Sequence, residues 1–153
     1  MNKPIKSLAI LFFLFVCGCA SHTKVNIGTT PLNLPKPEEL GNRIIQLYEA
    51  EMKHDWQAWY NITTLKNEIS YEEYLKSMES QKIDYEIISC SAIGFVEKPV
   101  SKNNVKIKAA VAVAMDVEIK RNLLRTEKVK DQTDYWVFTN NSWYWTWRGF
   151  PAD

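Results

Sequence analysis

Three stretches in the first half of the chain carry apolar residues at helical spacing. In the first, residues 38–53, these residues recur on a single face. Asp55 is a suitable N-cap for a second, shorter helix that is rich in aromatic residues. Ser70 and Glu73 match a capping box, which predicts the start of a third helix. The apolar stripe of the first helix consists of Leu40, Ile44, Leu47, Tyr48 and Met52.

The apolar period shortens from about 3.6 to about 2 near residue 85, which is typical of strands. The clearest strand has an unbroken apolar face from Val105 to Ile119, and we expect this face to turn inward. Asn140 and Asn141 tolerate positive φ and therefore predict a tight hairpin. The predicted long strands span residues 85–96, 105–120, 125–138 and 142–150. Three helices followed by about four long antiparallel strands indicate an α+β domain.

The N-terminal segment has a different pattern. Residues 8–17 are all apolar and follow a short segment that contains Lys3 and Lys6. A helix of this length measures about 15 Å, which is half of the roughly 30 Å that a bilayer core requires. The run is therefore too short to span a membrane comfortably, and it fits the basic and apolar regions of a secretory signal.

The residues that follow, Val16-Cys17-Gly18-Cys19, resemble the lipobox of bacterial lipoproteins. The resemblance implies cleavage between Gly18 and Cys19 and attachment of fatty acyl chains, such as palmitate, to Cys19. Residues 1–18 would then be the signal peptide, and the mature protein would be anchored to a membrane of the cell envelope. Ala20 is no acidic retention signal, which implies the periplasmic side of the outer membrane in a Gram-negative cell. The alternative is an ordinary signal peptide that is cut near Ala20.

Cleavage before Cys19 changes the charge of the chain. The full sequence has 19 basic and 18 acidic side chains, for a net charge of +1. Loss of Lys3 and Lys6 leaves 17 basic and 18 acidic side chains, for a net charge of −1. This balance has no basic stripe of the kind that nucleic-acid binding requires, so we expect no nucleic-acid partner.

The same cleavage changes the cysteine count. Cys17 leaves with the signal, and acylation consumes Cys19. Only Cys90 remains, so the mature chain can form no intramolecular disulfide. Because Cys90 lies within an apolar strand, we expect it to be a small buried side chain rather than a reactive thiol.

The mature chain divides into two parts. Residues 19–37 contain three prolines and no helical period, so they predict a lipidated tether. Residues 38–153 contain all the predicted helices and strands, and they are enough for a single domain with its own core.

Three phrases in this domain resemble the NTF2-like (SnoaL-like) superfamily. They are LYEAEMKHDWQAWY at residues 47–60, SYEEYLKSM at residues 70–78 and TDYWVFTNNSWYWTW at residues 133–147. The resemblance extends over residues 38–150 and implies a cone in which three N-terminal helices pack on a curved antiparallel sheet. Members of this superfamily enclose an apolar pocket. Some bind small molecules, some isomerise or dehydrate them, and many are non-catalytic interaction modules.

The sequence offers little catalytic chemistry for such a pocket. The strand face that should line it is wholly aliphatic, and Asp116 alternates onto the opposite face. Asp134 has the phase of an interior residue, although an Asp beside a turn is usually solvated. Neither a metal-ligand cluster nor a phosphate-binding glycine loop is present in the sequence, so we expect no metal, no cofactor and no catalytic residue.

Two groups of residues are candidates for binding. An aromatic set can line a ligand pocket or meet a partner, or can simply pack the core. A row of small residues on β-strand positions 110, 112 and 114 suits a homodimer that pairs through the sheet. The aromatic set is Trp56, Trp59, Tyr71, Trp136, Trp143, Trp145 and Trp147, and the small row is Ala110, Ala112 and Ala114.

These patterns favour a non-catalytic, membrane-anchored envelope lipoprotein that binds a small apolar ligand or another envelope protein. Two alternatives remain open at the level of sequence. One is a pocket enzyme of the isomerase or dehydratase kind, and the other is a subunit of an export or cell-wall assembly. Two convergent ionisable groups in a closed cavity would favour the enzyme, and a filled core would favour the binding module.

Overall fold

The computed structural model describes residues 24–31, 33–80, 85–98, 107–122 and 125–146. The domain is of the α+β class, as the order of the predicted elements indicated, with three α-helices beside a strongly curled sheet. The helices are α1 (Pro37–Met52), α2 (Trp56–Ile62) and α3 (Tyr71–Ser80), with a 3-10 turn at Thr64–Asn67. The strands are β1 (Lys24–Ile27), β2 (Glu86–Lys98), β3 (Ile107–Asn122), β4 (Arg125–Thr139) and β5 (Ser142–Trp145).

α2 and α3 begin where their capping residues predicted. The Asp55 carboxylate accepts a hydrogen bond from the backbone N–H of Ala58 at 3.0 Å, which caps α2. At the start of α3 the backbone N–H of Glu73 donates to Ser70 Oγ at 3.3 Å. The backbone N–H of Ser70 donates in return to Glu73 Oε2 at 2.8 Å, which completes the capping box.

The sheet differs from the expected one in its strand number and direction. It has five strands in the order β1-β2-β3-β4-β5, and β2 to β5 are antiparallel neighbours as predicted. β1, however, is parallel to β2, so the sheet is mixed. Irregularities in the pairing of β2, β3 and β4 accompany the curl, because a bulge bends and twists the strand that contains it.

Part of the predicted tether is folded. Residues 24–27 form β1, Leu34 is buried, and the carbonyl of Pro35 accepts a hydrogen bond from the Trp143 indole at 2.7 Å. The described chain from Lys24 onward therefore belongs to the domain, which differs from our expectation of a tether up to residue 37. A strand of four residues leaves too short a pattern to be recognised in a proline-rich segment.

The core lies between the helices and the inner face of the curled sheet. The apolar face of β3 turns inward, as predicted, and it packs with the stripe of α1. Asn140 and Asn141 have φ of 50° and 65°, which confirms the tight hairpin between β4 and β5. The inward residues of β3 are Val111, Val113, Met115, Val117 and Ile119, and all are buried.

The predicted signal peptide, with Gly18 and Cys19, lies outside the described residues, as does Trp147. None of the helices within the described ranges has the length and apolar character needed to cross a bilayer.

Candidate functional site

The predicted aromatic residues divide between a packed interior cluster and the surface. Trp59 of α2 stacks on Tyr74 of α3 with ring centroids 5.5 Å apart. The same indole meets Trp145 of β5 edge-on at 5.2 Å. Tyr71 joins this cluster through Tyr60, at a centroid distance of 5.3 Å. The aromatic rings thus pack against one another and stabilise the contact between the helices and the sheet.

Trp136 and Trp143 lie deeper, and both are fully buried. Trp136 is paired with Trp145 across β4 and β5, and Trp143 packs on Phe138 at 5.3 Å. Trp56 lies at the edge of the core, against which it packs; it is partly exposed at the start of α2, where it meets the ring of His54. The structure therefore brings together most of the predicted aromatic set and places Trp56 at its edge.

Asp134 lies in the interior rather than in solvent. Asp134 is only 3% exposed, and its carboxylate accepts a hydrogen bond from the Tyr48 hydroxyl at 2.8 Å. Gln132 donates to the same carboxylate at 3.3 Å. Its position corrects the expectation that an Asp flanking a turn is solvated: the curl of the sheet carries this stretch of β4 over α1, where Tyr48 supplies a donor.

A second interior carboxyl, Glu51, was not recognised in the sequence. It follows Tyr48 by three residues and therefore lies on the same side of α1. The hydroxyl of Tyr85 donates to Glu51 Oε1 at 3.4 Å. The signal that was available is its spacing from the buried stripe, since Glu51 continues the face of Tyr48.

Glu51 and Asp134 form an interior carboxyl pair with perturbed ionisation. Burial, together with the charge of Asp134, raises the pKa of Glu51 to about 7, against hydrogen bonds from Tyr85 and Trp59 that lower it. Burial also raises the pKa of Asp134, against hydrogen bonds from Tyr48 and other donors. Each carboxyl is thus poised to hold a proton more readily than an exposed one.

Cys90 is the expected buried thiol. Its side chain faces the core beside Val117, and burial together with the nearby carboxyl pair raises its pKa to about 12. The thiolate, which is the reactive form, is therefore scarce at neutral pH.

The cleft beside Glu51 is very small. The cleft at Glu51, His54, Trp56, Tyr85 and Ile87 has a volume of about 10 Å³. This volume holds at most about one water molecule. Larger hollows occur on the surface: one of about 340 Å³ lies between α1 and α2. Another, of about 170 Å³, lies on the outer face of the sheet at Ser89, Ser91, Asp116, Glu118 and Lys128.

The predicted dimer face is only partly accessible. Ala110 and Ala112 are 4% and 6% exposed, and Ala114 is partly buried. The exposed apolar atoms beside this row belong to Val96, which pairs with Ala112 and is 58% exposed. Ile93, at the neighbouring bulge, is 56% exposed. We call Val96 and Ile93 the outer-face patch.

Neither a scan against protein-family models nor a search of curated proteins finds a relative of this chain. Within the described part of the chain, no group of three His, Cys, Asp or Glu residues is arranged to hold a metal ion.

Proposed function

We propose that the mature protein is a lipid-anchored envelope lipoprotein whose NTF2-like domain is a non-catalytic binding module. The lipobox-like run that ends at Cys19 supports the anchor. Three helices beside a curled sheet are consistent with the NTF2-like cone. One observation carries the non-catalytic part, namely that aromatic side chains fill the interior in which an enzyme of this shape would hold its substrate.

The interior carboxyl pair is the feature closest to catalytic chemistry, and its surroundings favour a structural role. Small-molecule sites are usually about 300–1,000 Å³ in volume. The cleft beside Glu51 is about 10 Å³. Tyr48 and Gln132 already occupy the oxygens of Asp134. An isomerase or dehydratase is therefore less well supported than a binding module.

The same filled interior favours a protein partner over a small apolar ligand. The outer-face patch exposes two large aliphatic side chains, Val96 and Ile93, beside the alanine row. Such a patch suits contact with another apolar surface. We propose that this partner is a second copy of the chain. The resulting dimer would also be compatible with a place in an export or cell-wall assembly.

Loss of the acylated cysteine should release the protein from the membrane. In cells that express Cys19→Ala, we expect the protein to lack the lipid modification that anchors the mature wild-type chain, because the acylated thiol is absent. The anchoring is lost with it, since acyl chains contribute about 0.8 kcal/mol per buried methylene group. Mass spectrometry of the wild-type N-terminus detects the lipid. Membrane fractionation compares the variant with a Cys90→Ala control, which keeps Cys19 and should remain in the membrane fraction. Wild-type protein that begins after Cys19 with no lipid attached would refute the anchor.

A charge in the outer-face patch should disrupt the proposed homodimer. We expect the detergent-solubilised wild-type protein to have twice the monomer mass by light scattering, and Val96→Lys to shift it to the monomer, because a buried unpaired charge opposes association. Asn67→Lys, at an exposed position of the 3-10 turn, is the matched control. A wild-type protein that is a monomer at micromolar concentration would contradict the proposal.

A further inference from the structure

The chain enters the sheet from one defined end. β1 is parallel to β2, and Lys24 lies opposite Ser89. β1 therefore begins, at Lys24, near the side of the sheet on which β2 begins at Glu86. The β3–β4 hairpin lies at that same end, because Asn122 and Arg125 form its last pair. The start of β1, which follows the predicted site of acylation by five residues, and this hairpin thus share one end of the domain.

The connection between Cys19 and β1 is short. Cys19 precedes Lys24 by five residues, and a chain of five residues spans at most about 18 Å. Glu118 belongs to the same row across the sheet as Lys24. From Glu118 the hairpin residue Asn122 is four residues away, or about 13 Å along β3. Ile107, beside the opposite hairpin, is eleven residues away in the other direction, or about 36 Å.

The hairpin end also carries a local excess of positive charge. Residues 120–130 contain five basic side chains and one acidic side chain, for a net charge of +4. Because the mature chain sums to −1, all other residues together carry −5. Arg121 and Arg125 are exposed, and both pair with Glu127, at 3.2 and 4.0 Å. Glu86 lies opposite Lys120 and Glu118 opposite Lys128 across the strand pairs. Counted with these two acids, the end has five basic and three acidic side chains, so a smaller positive excess remains.

A partly exposed tryptophan lies at this end as well. The turn between α1 and α2 meets the start of β2, where Trp56 lines the small cleft with Glu86 and Ile87. Indole rings favour the level of lipid headgroups, where one side is apolar and the other is hydrated. Basic side chains near a membrane surface are attracted to anionic lipids. Both features suit a phospholipid surface.

We propose that the β3–β4 hairpin end lies against the membrane that holds the anchor, with Arg121, Arg125 and Lys128 in contact with anionic headgroups and Trp56 beside them. This inference rests on the proposed lipid anchor at Cys19. The anchor keeps the domain at a high effective concentration near the surface, so individually weak headgroup contacts are sufficient to orient it. The strands then rise away from the membrane, with the β4–β5 hairpin at the far end.

The chain itself makes a selective test practicable. Acylation blocks Cys19 and burial protects Cys90, so a single introduced cysteine is the only reactive thiol among these positions. We would label Thr126→Cys, in the hairpin, and Asn141→Cys, at the opposite end, with a bimane fluorophore. The acylated protein is reconstituted in vesicles of phosphatidylethanolamine and phosphatidylglycerol that contain doxyl-labelled lipid as the quencher.

We expect fluorescence at position 126 to be quenched several-fold more strongly than at position 141. The double variant Arg121→Glu/Arg125→Glu should abolish most of this difference, and Lys108→Glu, an exposed charge reversal near the other end of β3, should preserve it. Equal quenching at both positions, or stronger quenching at 141, would overturn the orientation. Unchanged quenching in the double variant would overturn the headgroup contacts.

Flotation of the vesicles separates this inference from the proposed function. Protein that does not float with the vesicles lacks the anchor, and then the proposed function and the orientation both fail. Protein that floats but shows no preference for position 126 retains the anchor, and only the orientation fails.

Discussion

Replacement of Trp136 by alanine is expected to lower the free energy of unfolding by about 3–5 kcal/mol. Trp136 is fully buried, and its backbone pairs with Val111 on one side and Trp145 on the other. Removal of the indole leaves a cavity in the middle of the inner face of the sheet, where β3, β4 and β5 are held together by their pairing and cannot close it. Since domains are stable by about 5–15 kcal/mol, this loss is a large fraction of the total.

Urea unfolding followed by circular dichroism measures the effect as a lower midpoint with an unchanged slope. Trp56→Ala is the matched control, because it removes the same side chain from a partly exposed position outside the packed aromatic cluster. We expect the control to cost about 1 kcal/mol or less. Equal midpoints for Trp136→Ala and the wild-type protein would show that the interior is not packed as described.

The stability of the domain is expected to fall as the pH rises from about 4.5 to about 7. Glu51 has a pKa raised from 4.5 to about 7 in the folded state, so the folded protein binds more protons than the unfolded chain within this window. The stability that Glu51 contributes is fully present below pH 4.5, and it is lost as the pH rises through the folded-state pKa of about 7. At about 1.4 kcal/mol per pKa unit, and with partial exposure of Glu51 taken into account, the loss is about 2–3 kcal/mol.

The other shifted carboxyls do not obscure this slope. The raised pKa of Asp134 gives a change of the same sign. Glu39 and Glu73 have lowered pKa values, so their contributions are lost only as the pH falls below their usual range. Among the described residues, the decrease in stability between pH 4.5 and 7 therefore comes from the interior carboxyl pair.

Glu51→Gln tests this assignment. The amide keeps an acceptor for Tyr85 but cannot ionise, so most of the slope of unfolding free energy against pH should disappear. Glu49→Gln, an exposed position on the same helix, should leave the slope unchanged. A full slope in Glu51→Gln would assign the pH dependence to another group. Denaturant titrations at several pH values provide the measurement.

The proposed orientation has a consequence for binding. Val96 pairs with Ala112, which precedes Asn122 of the hairpin by ten residues, or about 33 Å along β3. With the hairpin end against the membrane, the outer-face patch stands well above the lipid surface. A second copy anchored in the same membrane can meet it side by side, without either domain leaving the bilayer.

Much of the secondary structure could be predicted because its causes are local. The Ser70–Glu73 capping box, the Asp55 cap and the Asn140-Asn141 turn each depend on hydrogen bonds or φ angles within a few residues. β1 could not be predicted in this way. Its pairing joins Lys24 to Ser89, 65 residues later, and a four-residue strand has too few positions to show a period.

The candidate site shows the same division. Asp134 could be assigned to the inner phase of its strand, but its burial depends on Tyr48, which is 86 residues earlier in the chain. Glu51 reads as an ordinary solvated helix residue until the start of β2 places Tyr85 beside it. Alternation and helical spacing determine which face a residue shares, whereas burial depends on what another element brings to that face.

By itself, the sequence predicted a signal and a lipobox, with Cys90 as the one cysteine left after cleavage, and it determined the order of helices and strands. These features depend on composition and on neighbours along the chain. Only the tertiary structure decided which aromatic residues fill the interior, that Glu51 and Asp134 share it, and that β1 begins at the end of the sheet that carries the basic hairpin. These features depend on contacts between residues far apart in sequence, which arise only when the sheet curls over the helices.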